Sequence, residues 1–581
     1  MTRRRLLAVI VAVALVTAVW ALLPPGSRRL SLSAPPLVVR GASHIHTVRS
    51  DGAGTPESAA AAAARAGLDF IILTDHGDGL RAPDPPRYVE GVLVIDAVEI
   101  STTGGHYVAL GLDRAPYRLA GEPRDVVEDV HRLGGFGVAA HPDSPKAQLQ
   151  WKDWSVPIDG IEWLNADSQW RDEPRTTLAR ALVTYWFRGP ETLVALFDRP
   201  IESLARWDQI AANRRVVGLA GHDAHAGLPI SPEAEPGEGP SLSIPSYETA
   251  FRAMTVHVRL DAPLGRTDTA AAQDAASLLS SIKRGHLFTV LDAIAAPADL
   301  EFSAAGQDGR AEMGDDSSAA GAITLTADLH PAVAGATLVV VKNGRDFASA
   351  EQSHLEIVHA ASDGPGRYRA EVRLAGAPGT PPVPWIVGNP IYVTRGPRAE
   401  PVTTTSPAES AVVLSDPKSP VAWTIEHQPA SEARAEWVAS SAGGQPGERL
   451  TWRLAAGPPS GQYAALALPI RGGMLTSADR LTITASSPRP MRVSVQLRVP
   501  VSGGLRWQRS IYLDSTAREI VVPFAEMTPV EAPPGTRPDL SKVDTLLIVV
   551  DTVNSAPGSA GECRIDRLLA ERSRAASTSA P

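Results

Sequence analysis

The chain has 581 residues and one cysteine, Cys563. That excludes an intramolecular disulfide and a cysteine-rich zinc site, so any metal must be held by His, Asp and Glu. It also lacks a long basic run, and its formal charge is −9. Nucleic acid is not an expected partner, because phosphate contact needs clustered Lys and Arg. Only one long apolar run is present, Leu6 to Leu23 behind Arg3-Arg4-Arg5, so a polytopic membrane protein is excluded. No recognisable motif offers a nucleophilic Ser or Cys.

The single apolar run sits between a signal-peptide core and a short spanning helix in length. Val19-Trp20-Ala21 offers a cleavage site, but bulky Leu22-Leu23 favour an uncleaved anchor. Residues 1–37 are therefore expected to be a signal anchor and tether. The basic flank puts the N-terminus in the cytoplasm and the remaining chain in the periplasm or outside the cell, or secreted if the segment is cleaved.

A chain this long is expected to be multidomain. Residues 38–295 alternate short apolar runs with helical stretches, an α/β pattern. Strands are predicted at Leu37–Ser43, Phe70–Leu73, Val92–Val98, Tyr107–Leu112, Gly137–Ala140, Gly160–Leu164 and Val216–Ala220. Thr55, Pro56 and Gly67 mark the cap, first turn and end of one helix. Residues 144–213, with Trp151, Trp154, Trp163, Trp170, Trp186 and Trp207, read as an insertion able to line a substrate groove or to pack on the α/β core. His131 falls in a predicted helix and reads as structural or exposed.

Beyond about residue 296 the helical pattern stops. Residues 296–395 read as a small β-sandwich with a hairpin at Asn343-Gly344, 396–410 as a linker, 411–572 as a jelly-roll-like sandwich, and 573–581 as a low-complexity tail.

What is abundant is metal-binding chemistry at predicted strand ends. Eight of the 14 histidines lie between His44 and His225. The segments are His44-Ile45-His46, Asp51, Thr74-Asp75-His76, Glu99, Gly105-His106, Ala140-His141-Pro142 and Gly221-His222-Asp223-Ala224-His225. Strand alternation turns His44 and His46 to one side of Ile45, and Asp223 and His225 to one side of Ala224. It turns His222 and Asp75 away, although Asp75 could still orient an imidazole. Imidazole and carboxylate donors suit zinc, manganese or iron.

These motifs resemble the PHP (polymerase and histidinol phosphatase) superfamily. His44, His46, Asp51 and Gly52 match its opening motif, and Thr74–His76 its second. Glu99, His106, Ala140–Pro142 and Gly221–His225 match the rest, with His222 a departure at a position often small. The β modules, through Gly285–Thr289, Val341–Gly344 and Trp385–Val393, resemble the CehA/McbA-type metallohydrolase branch. The last unit, through Leu546–Thr552 and Cys563–Leu568, is similar to galactose-binding jelly rolls, which makes a glycan a possible partner there.

The resemblance implies a distorted seven-stranded, TIM-like (β/α) barrel with two or three divalent metals (Zn, Mn or Fe). His44, His46, Glu99 and Asp223 would hold the first. Glu99 would bridge to a second, held also by His106 and His141. Asp51, His76 and His225 would hold the third, with Asp51 standing where some relatives have His. Asp51, His76, Glu99 and Arg49 are the expected catalytic residues. Arg49, Lys283 and Arg284 are cation candidates for a phosphate. Two close metals lower the pKa of a water between them and clamp phosphate oxygens. The expected function is thus an exported, membrane-tethered phosphoesterase acting on a small-molecule ester. Two alternatives stand beside it: hydrolysis of carboxylic or carbamate esters or amides, and a glycan-binding surface protein with an inactive barrel.

Overall fold

The computed structural model describes residues 3–33, 35, 37–229, 241–307, 309–395, 407–418, 421–439, 446–457, 461–500, 504–533 and 535–574. Most of the linker expected at 396–410, and most of the tail at 573–581, lie outside the described residues. The chain is multidomain and rich in β-structure. It forms two compact units, one of residues 1–114 and 126–398, the other of residues 115–125 and 399–581.

In the first unit the N-terminal apolar run forms helix α1 (Arg3–Leu22). Arg180 Nε donates to the Leu22 carbonyl at 2.8 Å, tying its end to the rest of the unit. The expected membrane anchor is not supported: among the described residues no helix is long and apolar enough to cross a membrane.

The α/β elements follow in order. They are β1 (Val38–Ile45), α2 (Pro56–Ala66), β2 (Phe70–Leu73), β3 (Val92–Asp96), β4 (Val98–Thr102), β5 (Gly105–Leu110), α3 (Pro123–Arg132), β6 (Phe136–Ala139) and β7 (Gly160–Asn165). Then come α4 (Ala166–Arg171), α5 (Arg175–Val194), α6 (Ile201–Ala211), β8 (Val217–Gly221), α7 (Tyr247–Ala253), β9 (Thr255–Arg259), α8 (Ala271–Arg284) and β10 (Leu287–Val290). Helix α2 begins and ends where its residues dictate. The Thr55 side chain accepts from Ser58 N, Pro56 fills the first turn, and Gly67 closes the helix at φ 76°.

A continuous seven-stranded ring is not what the hydrogen bonding traces. One sheet runs β10-β9-β1-β2-β3, the other β8-β7-β6-β5-β4. In the second, β8, β7 and β6 are parallel, whereas β5 runs antiparallel to both β6 and β4. Two parallel bridges, Ile45 to Ala224 and His76 to Glu99, join the sheets. Both bridges contain or adjoin the metal-binding motifs, so the seam between the sheets is also the site. The apolar sides pack inward: Phe70, Ile72, Leu93, Val108, Val138, Leu219 and Val256 form one cluster, and Ile45, Ala60, Ile71, Leu73 and Ala224 another.

The segment expected to be an insertion instead supplies β7 and helices α4 to α6. Trp151, Trp163 and Trp207 are core residues, each about 1% exposed. Trp163 Nε1 donates to Thr289 Oγ1, and Trp207 Nε1 to the Val216 carbonyl. Those partners explain why buried indoles are tolerated there. His131 pairs with Asp159 at 2.7 Å, in keeping with a structural role.

Downstream strands extend the first sheet. Strand β11 (Gly366–Leu374) pairs with β12 (Ile386–Gly388), and β12 pairs with β10. Among the described residues the second unit is a sandwich of two six-stranded sheets. Leu450, Ile483 and Leu568 of one sheet share a core with Leu466, Val495 and Ile548 of the other. Cys563 lies in that core, and burial pushes its thiol up to about 12.

Candidate metal centre

The motif residues converge on the joined ends of β1, β2, β4, β6 and β8. Three of them, His44 (φ 61°), His141 (φ 30°) and Asp223 (φ 48°), occupy the left-handed region that side chains normally avoid. Each such residue costs about 1–3 kcal/mol. The distortion at His44 coincides with a register shift between Ala42 and Ile45 in the β1–β2 pairing. His44 and His46 face the centre while Ile45 is buried in the apolar cluster.

Glu99, 1% exposed, is the hub. Its Oε2 lies 3.1 Å from His44 Nε2, 3.1 Å from His46 Nε2 and 3.4 Å from His76 Nδ1. Its Oε1 lies 2.9 Å from both His106 Nδ1 and His141 Nε2. Asp223 Oδ1 stands 3.3 Å from His46 Nε2 and 3.6 Å from His44 Nε2. Asp51 reaches His46 at 3.2 Å, His225 at 3.3 Å and His76 at 3.5 Å. All nine expected ligands are thus brought together.

Among the described residues four groups have donor atoms close enough to share an ion: His44-Glu99-His141, His44-His46-Asp223, His46-Asp51-His225 and His46-His76-Glu99. The surroundings suit cations. Burial alone would raise the Asp51, Glu99 and Asp223 carboxyls, yet the imidazoles around them hold all three well below the usual range. Burial would lower His44, His46 and His141, but facing carboxylates hold them above their ordinary value. His46 Nε2 and His76 Nδ1 are buried without a well-directed hydrogen bond. Ring nitrogens aimed inward among carboxylates are where a divalent ion would take the place of their protons.

A supporting layer fixes these donors. Asp75 points away from the ions' place, as alternation predicts. It accepts from Thr47 N at 2.6 Å, Thr47 Oγ1 at 2.8 Å and Ser50 Oγ at 2.8 Å, so it shapes the His46–Asp51 loop rather than an imidazole. Tyr247 Oη donates to the His46 carbonyl at 2.5 Å. His222 faces the carbonyls of Ser43 (3.2 Å) and Met254 (2.9 Å). Burial brings its imidazole down to about 4, so the neutral ring donates to one of the two carbonyls and serves packing rather than an ion.

Sequence reasoning missed Glu162 and Asn165 on β7. Glu162 Oε1 is 2.6 Å from His44 Nδ1, and its Oε2 accepts from His141 N at 2.7 Å. Asn165 Nδ2 donates to Glu162 Oε2 and Asp223 Oδ2. The available signal was an acid between apolar Ile161 and Trp163 in a buried strand.

The cation candidates separate. Arg49 lines a cavity of about 120 Å³ with His76, Gly77 and Arg81, while paired to Asp84 and Asp96. Arg284 pairs with Asp261, and Lys283 lies over the Phe136 ring at the start of β6. Neither reaches the centre, because α8 ends where the strands begin and the motifs sit where they end.

No family model matches the chain. It is 30% identical over 139 residues to the uncharacterized protein MJ1587 of Methanocaldococcus jannaschii, covering 21% of this chain and 80% of that one. A solved Bacteroides vulgatus two-domain protein, described as containing a predicted PHP-like metal-dependent phosphoesterase, aligns at 15% identity and TM-score 0.27. That alignment covers 64% of this chain and 99% of the other. A Clostridium thermocellum family 11 carbohydrate-binding module, solved with a mixed-linked tetrasaccharide, aligns at 15% identity and TM-score 0.24, covering 28% and 96%. Likenesses at these values transfer neither an activity nor a ligand.

Proposed function

We propose, from a chain that belongs to the same family as the Methanocaldococcus jannaschii protein MJ1587 and whose motifs resemble the PHP superfamily, a metal-dependent hydrolase of small ester substrates, in the first place a phosphoesterase. The observation that carries this is Glu99: a carboxylate 1% exposed, within 3.4 Å of five imidazoles. A folding core gains nothing from so many desolvated ionisable groups. A site for two or three divalent ions (zinc, manganese or iron) does.

His44, His46, Glu99 and Asp223 would hold one ion, Glu99, His106 and His141 a second, and Asp51, His76 and His225 a third. Such ions activate water and neutralise an anionic ester. The protein's own contribution is placement. Glu162 fixes the His44 ring, and Asp75 fixes the loop that carries His46 and Asp51. His76, whose side chain is 32% exposed, lies at the open edge. There Arg49 and Arg81 line a cavity that also carries Asp75, Asp78 and Asp113, and Arg49, held by Asp84 and Asp96, would have to exchange a carboxylate for an anionic group of the substrate.

The test is metal content by elemental mass spectrometry on the full chain, with turnover of p-nitrophenyl phosphate and bis-(p-nitrophenyl) phosphate. The comparison is wild type against a His44→Ala/Asp223→Ala double variant. Two or three ions per chain, with metal and turnover lost together in the variant, support the reading. Bound metal with turnover of carboxylic esters alone replaces it by the carbonyl-hydrolase reading. No metal after incubation with Zn²⁺, Mn²⁺ or Fe²⁺ overturns it.

A further inference from the structure

A second cavity, of about 280 Å³, borders the metal centre without including Arg49 in its lining. Asp223 and His225 form part of its wall, together with His222. The rest is almost wholly apolar. Leu178, Ala181, Leu182 and Tyr185 recur at helical spacing along α5 and give it one continuous stripe. Leu193, Phe197 and Met254 complete the depth. The same helix carries its apolar surface outward, where Leu182 is 47%, Trp186 72% and Phe187 63% exposed.

Two different cavities therefore meet one cluster. The side of His76 and Arg49 is charged, and the side of Asp223 and His225 is greasy. Asp223 and His225 belong to both the cluster and the cavity wall, so whatever fills the cavity touches two residues of the cluster. Water in that space would find few polar partners, whereas an alkyl chain would gain about 0.8 kcal/mol per buried methylene.

Resting on the hydrolase reading above, we propose that the substrate is an amphiphile. Its anionic ester head lies at the Glu99 cluster, and its single apolar chain lies in the groove formed by α4, α5 and α7. Binding energy from the chain would serve to hold the head in place.

The experiment uses non-hydrolysable alkylphosphonates of increasing chain length, titrated calorimetrically into the metal-loaded full chain. Affinity is expected to rise about fourfold per methylene until the cavity is full. Ala181→Trp, which occupies the cavity, and Leu182→Glu, which changes an exposed rim position, are expected to flatten the series. Retained metal content would certify their fold. A flat series in wild type, with the short phosphonates still bound, overturns the amphiphile and leaves the hydrolase intact. A slope that survives in both variants overturns the placement of the chain. Failure of every phosphonate to bind the metal-loaded protein overturns both readings. Turnover of a long-chain phosphomonoester then identifies the source. A jump when it is presented in phosphatidylcholine vesicles marks a membrane lipid, and saturation on monomer marks a free amphiphile; both support the class.

Discussion

Glu162 Oε1 lies 2.6 Å from His44 Nδ1, while the other nitrogen of the same ring faces Glu99 Oε2 at 3.1 Å. The contact fixes which nitrogen of His44 is presented to the centre, and a carboxylate behind a ligating imidazole also raises its basicity. Glu162→Gln should keep the fold and lower metal affinity about 10- to 100-fold, measured by competition with a chelating dye. Unchanged affinity would show that His44 needs no such support.

The glycine that opens the last motif is explained by the same carboxylate. A Cβ on Gly221 would stand 2.0 Å from Glu162 Oε1. Gly221→Ala should displace Glu162, weaken metal binding at least as much as Glu162→Gln, and cost about 1–3 kcal/mol through overpacking. Denaturant unfolding with and without metal separates the two effects.

Metal should stabilise the first unit in proportion to its occupancy. At a free ion concentration 100 times the dissociation constant, the gain is about 2.7 kcal/mol. Stripping with a chelator should lower the thermal midpoint, and re-addition should restore it. The Asp223→Ala variant should respond less than wild type.

Outside the site, acid sensitivity should come from Glu371. Burial works against its charge, but Arg369, Arg199 and Arg373 bring it down to about 2. The unfolded carboxyl titrates near 4.5. Its contribution is therefore present above about pH 4.5 and lost as pH falls toward 2. The loss is on the order of 3 kcal/mol. Glu371→Gln should remove this part of the acid slope while destabilising the protein near neutrality, because three guanidinium groups lose their buried partner. Unfolding curves for both proteins between pH 5 and 3 provide the check.

Elements whose cause is local were legible in the chain. Thr55, Pro56 and Gly67 bound α2, and the apolar run Phe70–Leu73 is β2 to the residue. The histidine motifs were equally plain, because metal donors recur at short spacing beside each strand end. What escaped depends on partners far away in sequence. Glu162 looks like a lone acid until β7 lies beside β8 and β6. The run Val92–Val98 divides at Ala97 because Val98 onward pairs with β5 in the other sheet. The pairing of β10 with β12 joins residues about a hundred apart, and no local pattern announces it.

Residues 115–125 belong to the second unit although they are translated within the first. Tyr117, 7% exposed in the finished protein, packs against Tyr512, about 395 residues further along the chain. A ribosome emitting this chain would hold that apolar stretch unburied through most of synthesis, a place for a chaperone to engage. The same thread means that no single proteolytic cut can release either unit whole.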